Sequence, residues 1–166
     1  MSDQGKAYAA FVESELKCER DRRVHLDNRG AALVTTSSSL VALLAAVVAF
    51  FRVGTNLTFP NSALPTLIVA IAALALVAAS GIIASWNHTY HAPSVGSLGA
   101  AVKDRWATDE ETDARNYVAQ MQIEIISSLR RSNASKAGWI RRGLVGQTIA
   151  LLGLGIVVCQ MLIGTM

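Results

Sequence analysis

The chain has 166 residues, 52% of them hydrophobic and only 16% charged, against roughly 25% charged in a typical soluble domain. Three long stretches carry almost no charge, and about 20 apolar residues are enough to cross a hydrocarbon core about 30 Å thick. With a net charge of +3, this pattern predicts an integral membrane protein with basic flanks and gives no reason to expect a nucleic-acid partner.

Residues 1–30 contain "GKAYAAFVESELKCERDRRVHLDNRG". Tyr8, Phe11, Val12 and Leu16 fall near helical spacing, which predicts a cytoplasmic surface helix. Arg23 and Asp27 stand at i,i+4, a pairing worth only about 0.2–0.5 kcal/mol on an exposed helix. No cleavable leader pattern precedes the first apolar run, so this run is expected to stay as a membrane anchor.

The first span is predicted over 31–51 and an outward loop over 52–64, where Gly54 and Pro60 oppose a long helix. The second span follows over 65–86, with Pro65 suited to a first helical turn. Residues 87–142 are expected to be cytoplasmic: a connector with Pro93, Gly96 and Gly99, then an amphipathic helix over 108–142. In that helix Ala114, Val118, Met121, Ile125 and Leu129 form one apolar stripe. Acidic residues from Asp109 to Asp113 crowd its start and Arg130, Arg131 and Lys136 lie late, matching the helix dipole. Gly138 is a candidate bend before the third span, 143–164. The fold class is therefore all-α, with three transmembrane helices and a cytoplasmic helical region built from the N-terminal helix and 108–142.

Orientation follows from the basic residues beside each span. Lys17, Arg20, Arg22, Arg23 and Arg29 precede the first, and Arg130, Arg131, Lys136, Arg141 and Arg142 precede the third. Only Arg52 lies in the first loop. The expected topology is multi-pass, with the N-terminus cytoplasmic and the C-terminus outside. Trp86, Tyr90 and Trp139 suit interfacial positions.

Little in the sequence suggests catalysis. Neither a P-loop nor a dinucleotide fingerprint is present. His88 and His91 lack the further ligands a metal site needs, as does the Cys18 and His25 pair. The acidic run at 109–113 reads as a helix start. Asn56-Leu57-Thr58, Asn87-His88-Thr89 and Asn133-Ala134-Ser135 match the glycosylation sequon but carry no assigned role. Cys18 and Cys159 are expected to be free thiols. No catalytic residue, metal ligand or cofactor is assigned, and the chain is not expected to be an enzyme.

The spans say more about assembly. None has a charge in its middle, which argues against a proton relay or ion-coupled carrier. Gly146, Ala150, Gly153 and Gly155 favour close helix approach and Gln147 and Gln160 offer interhelical hydrogen bonds, either for packing within one three-helix unit or for self-association, and a homo-oligomer is expected. Thr35, Thr36, Ser37, Ser38 and Ser39 form a run of hydroxyls. At 100° per residue they surround the helix, each able to bond a carbonyl about four residues earlier. The run is either a small-residue collar for close packing or a polar, bendable ring that lines water in an oligomer.

Residues 13–44, "ESELKCERDRRVHLDNRGAALVTTSSSLVALL", and 117–158, "YVAQMQIEIISSLRRSNASKAGWIRRGLVGQTIALLGLGIVV", each join a charged helix to an apolar span. In this arrangement the chain resembles the transmembrane effectors of the Pycsar anti-phage system (PycTM) and, more distantly, the SLATT membrane effectors. The resemblance implies a bacterial inner-membrane protein of antiviral defence and abortive infection. A partner nucleotide cyclase would make cyclic UMP or cyclic CMP, and the effector would oligomerise and impair the membrane. It also implies signal coupling at Asp27, Asn28 and Arg29, with Lys136, Arg141 and Arg142 as the matching junction at span three. Thr35 to Ser39, Gly146 and Gly153 would form the assembly or pore collar. The competing expectation is a non-enzymatic accessory membrane protein, for example in conjugative plasmid transfer.

Overall fold

The structure is a computed structural model that describes residues 3–54, 63–86, 90–100 and 110–164. The first loop with Asn56, Thr58 and Pro60, the Asn87-His88-Thr89 sequon and Asp109 lie outside the described residues. All described elements are helical: α1 is Asp3–Gly54, α2 Ala63–Ser85, α3 Val95–Ala100 and α4 Glu111–Gly164. Among the described residues there is no strand. Helices α1, α2 and α4 are each long and apolar enough to cross a membrane.

Helix α1 joins the charged N-terminal segment and the first apolar run without a break, and α4 likewise unites the amphipathic segment with the last apolar run. Neither helix contains proline, the residue that most readily interrupts a helical hydrogen-bond ladder. Gly138 lies within α4 as an ordinary helical residue. At the start of α4, Glu111 and Asp113 occupy the first turn, where negative charge is favoured by the dipole.

The chain separates into two compact units, Met1–His25 with Asn87–Ser135, and Leu26–Trp86 with Lys136–Met166. We refer to them as the polar and the apolar unit; α1 and α4 supply residues to both. One spacing describes the inward face of both long helices. In α1 the buried or half-buried positions include Val12, Leu16, Glu19, Arg23, Leu26, Gly30, Leu33, Ser37 and Leu40. In α4 they include Gln122, Ile126, Leu129, Asn133, Lys136, Ile140, Gly143, Gln147, Ala150, Leu154 and Val157. Steps of four and three alternate throughout, the heptad spacing of coiled coils.

In the polar unit, Gly5 packs beside Arg115 and Glu19 beside Asn133, so α1 and α4 run parallel there. Leu16, Ile125, Ile126 and Leu129 form its apolar core, with Val12 against them. Each such side chain contributes about 1.5–3 kcal/mol when buried from water. The predicted stripe on α4 needs correcting at its N-terminal end. Val118 is 52% exposed and Ala114 also faces out, because the heptad seam turns the face toward Gln122 and Ile126. Tyr8 and Phe11 are likewise exposed, at 73% and 63%.

The connector predicted between the second span and α4 contains the short helix α3. Ser94 caps it: the Ser97 N–H donates to the Ser94 hydroxyl at 3.0 Å, satisfying a donor that the first turn leaves unpaired. Pro93, Gly96 and Gly99 disguised this turn as coil. The His91 N–H donates to the Ser128 hydroxyl at 3.2 Å, tying the connector to α4 within the polar unit.

In the apolar unit, Leu26, Leu33, Val77, Ala84 and Ile140 form one cluster and Ala73, Leu74 and Ala150 another. Leu33 meets Gly143, while α2 runs antiparallel to α4, with Val77 beside Gly146 and Ala70 beside Gly153. Small residues set the helix separation. A Cβ at Gly81 would lie 2.8 Å from the Gly30 carbonyl oxygen and 2.8 Å from Val34. By contrast, nothing lies within 4 Å of a Cβ built at Gly138.

Gly81→Val is therefore expected to destabilise the apolar unit by about 1–3 kcal/mol through overpacking. Gly138→Ala should be neutral or stabilise by up to about 1 kcal/mol through helix propensity. Thermal unfolding of the purified protein in detergent, compared with wild type, measures both.

Candidate functional site

The residues predicted to couple the charged and apolar parts of the chain are not all brought into contact. Within the apolar unit, Asp27 and Lys136 are brought together as an ion pair. Lys136 Nζ donates to Asp27 Oδ1. The Lys136 side chain is 1% exposed, whereas that of Asp27 is 38% exposed. The lysine occupies a seam position of α4, so its ammonium cannot reach water by turning outward. A buried cation without a nearby anion is costly, and Asp27 offsets that cost. Asn28, Arg29, Arg141 and Arg142 instead lie on exposed faces. Arg142 stacks over the Trp139 ring, 4.7 Å from its centroid.

The polar unit holds a second network that the sequence reading missed. Glu19, a buried carboxylate, accepts from Arg130 Nε at 3.1 Å and from Asn133 Nδ2 at 3.0 Å. Asn133 Nδ2 also donates to the Glu19 backbone carbonyl at 3.0 Å. Arg130 reaches Glu15 as well, at 2.6 Å. Polar groups at heptad positions fix the register between helices, because a slip leaves them unpaired. Asn133 had drawn notice only as part of a sequon. A heptad count that allowed polar residues into the seam would have found it. The layer is not fully satisfied: Asn133 Oδ1 and Ser132 Oγ are buried without a hydrogen-bond partner.

Above this network the polar unit contains a cavity of about 430 Å³ between the connector, α3 and α4. His91, Ser94, Ser97, Tyr117, Gln120 and Glu124 supply its polar wall, over Met121 and Ile125. That volume falls in the range of small-molecule sites. Among the described residues the wall carries one carboxylate and no lysine or arginine, and it presents hydrogen-bonding groups over an apolar floor. Arg23 stacks on the ring of Tyr90 in the same unit, 4.6 Å from the centroid.

The hydroxyl run lies within the apolar unit. Thr35, Thr36, Ser38 and Ser39 are exposed, and only Ser37 is buried, at 1% exposure. Each hydroxyl donates to a carbonyl one turn back: Thr35 to Ala31 at 3.1 Å, Thr36 to Ala32 at 2.9 Å, Ser37 to Leu33 at 2.6 Å. Ser38 donates to Val34 at 2.9 Å and Ser39 to Thr35 at 3.0 Å. The polarity is absorbed by the helix itself, and what faces outward is mainly methyl and methylene surface. Gly146 and Gly153, half-buried, face Val77 and Ala70 of α2. They pack this chain's own helices. Cys18 and Cys159 are both free and exposed.

No protein-family model, curated protein or solved structure matches the chain.

Asp27→Asn is expected to destabilise the apolar unit by about 2 kcal/mol. This is below the roughly 3–5 kcal/mol of a fully buried pair, because Asp27 keeps 38% of its side chain exposed. Lys136→Met should cost less, since it removes the buried charge instead of stranding it. The exchange Asp27→Lys with Lys136→Asp should recover part of the loss. Chemical unfolding of the four proteins in one detergent orders them. In the polar unit, Glu19→Ala removes the carboxylate shared by Arg130 and Asn133 while keeping the Asn133 bond to the residue-19 carbonyl, and is expected to cost about 1–2 kcal/mol, read as faster amide exchange around residues 126–133.

Proposed function

We propose that the chain is a non-enzymatic membrane effector of bacterial defence that responds to a cyclic pyrimidine nucleotide, cyclic UMP or cyclic CMP, and impairs the inner membrane as an oligomer. The observation that carries this reading is the composition of α4. One unbroken helix supplies Tyr117, Gln120 and Glu124 to the cavity of the polar unit and, farther along, the third apolar stretch. A ligand bound against the first part of such a helix acts on an element that continues into the second. The resemblance in residues 13–44 and 117–158 to the Pycsar effectors supplies the ligand class and the partner cyclase.

Tyr117 offers a stacking face to a pyrimidine, Glu124 and Gln120 offer an acceptor and an amide to its edge, and Ser94 and Ser97 face the sugar. The phosphate is then directed away from the wall, toward solvent. The parallel run of α1 and α4 within the apolar unit, with α2 antiparallel, agrees with three alternating spans, and the basic residues that precede the first and third support a cytoplasmic N-terminus. The absence of charge along the middle of the spans supports membrane disruption by assembly over ion-coupled transport.

Co-expression with a pyrimidine cyclase is expected to collapse the membrane potential, read with a potential-sensitive dye, and a catalytically dead cyclase should leave it intact. In vesicles carrying the purified protein, cyclic UMP or cyclic CMP should release a trapped dye. Glu124→Gln and Gln120→Ala should weaken that response at least tenfold in ligand concentration. Unchanged potential together with ligand-independent vesicles would remove this reading and leave the accessory role in plasmid transfer, which a conjugation-frequency assay addresses.

A further inference from the structure

A second depression lies in the apolar unit, between α1 and α4. It has a volume of about 250 Å³ and is lined by Arg29, Leu33, Thr36, Ile140, Leu144 and Gln147, with Ala32. Its walls are apolar except at its ends. Thr36 contributes no free hydroxyl, because its Oγ1 donates to the Ala32 and Leu33 carbonyls. Arg29 stands at one end, exposed and with no ion pair or hydrogen bond among the described residues. Its neighbour Asp27 is engaged by Lys136, so no acid nearby neutralises it. Thr36 follows Arg29 by seven residues, about 10 Å along a helix that rises about 1.5 Å per residue.

We propose that this groove is a binding site for one anionic phospholipid. The Arg29 guanidinium takes the phosphate of the headgroup in bidentate fashion. One acyl chain lies along Leu33, Ile140 and Leu144, and the Gln147 amide meets the ester region near Thr36. Charge complementarity and depth select this occupant. An exposed cation stands at one end of an apolar groove, and basic pockets between helices on the cytoplasmic side recognise anionic headgroups. A second copy of the chain fits less well, because its helix would cover an unpaired arginine without an acid to meet it.

The inference rests on the three candidate spans entering a bilayer, and the test separates the two ideas. Membranes from expressing cells are first washed in alkaline carbonate. The full chain is then purified in mild detergent and titrated with phosphatidylglycerol or phosphatidylcholine of identical acyl chains, with bound lipid counted by native mass spectrometry. Wild type should retain phosphatidylglycerol at about fivefold lower concentration than phosphatidylcholine, the preference that one basic residue near a membrane surface confers. Arg29→Gln should abolish the preference while leaving phosphatidylcholine binding unchanged. Arg29→Lys should keep most of it, and Leu144→Trp, which fills the trough, should lower retention of both lipids. Because Arg29 is exposed and unpaired, Arg29→Gln should retain wild-type helicity by circular dichroism. A preference that survives Arg29→Gln overturns the proposal, as does retention unaffected by Leu144→Trp. If Leu144→Trp breaks a dimer and leaves lipid binding intact, the groove belongs to a second copy. A chain stripped off by carbonate removes the membrane reading and this site with it. A carbonate-resistant chain without lipid preference overturns the site alone.

Discussion

The inward faces of α1 and α4 obey one alternation of four-residue and three-residue steps, and the other packing features follow from it. A straight helix repeats every 3.6 residues, and an average step of about 3.5 keeps the same faces of two neighbouring helices together within each unit. The seam positions are not uniformly apolar. Glu19, Arg23, Asn133 and Lys136 stand among leucines and isoleucines, and Gly30, Ser37 and Gly143 occupy others. Apolar residues supply attraction without choosing a register. Glu19 with Asn133, and Asp27 with Lys136, choose it, because each pair is satisfied at one alignment alone. Glycines then permit the close contact with α2 that small-residue packing requires.

Much of this was legible in the sequence, though not in the form that mattered. Three apolar stretches of sufficient length stood out from the charge distribution alone, as did the helical character of the segments before the first and third. The self-bonding of Thr35 to Ser39 followed from helix geometry. The seam itself was obscured. A search for hydrophobic periodicity passes over Glu19, Asn133, Lys136 and Gly143, and is drawn instead to Tyr8, Phe11 and Val118, which face outward. Pairings such as Glu19 with Asn133 join residues more than a hundred positions apart, and no local pattern reports them. Helix α3 escaped notice for a different reason: Pro93 just before it and its two glycines look like a connector unless Ser94 is recognised as a cap.

The two kinds of site differ in how they are built. The cavity of the polar unit is assembled from a connector, a capped short helix and one face of α4, with a wall of hydroxyl, amide, carboxylate and aromatic groups. The groove of the apolar unit is formed by two long helices and depends on a single arginine for polarity. The first is lined mainly by polar groups and the second mainly by apolar surface.

A seam of this type also governs how the chain can change in length over evolution. Each residue turns the helix by about 100°, so one added to α1 or α4 would swing every later side chain onto a different face. Seven added residues return the face to nearly its starting direction. Insertions and deletions in relatives should therefore come in quanta of seven within the long helices, or in matched pairs across them, while the stretches between helices vary freely. The spacing acts as a ruler, and the positions of Glu19, Asp27, Asn133 and Lys136 are its fixed marks.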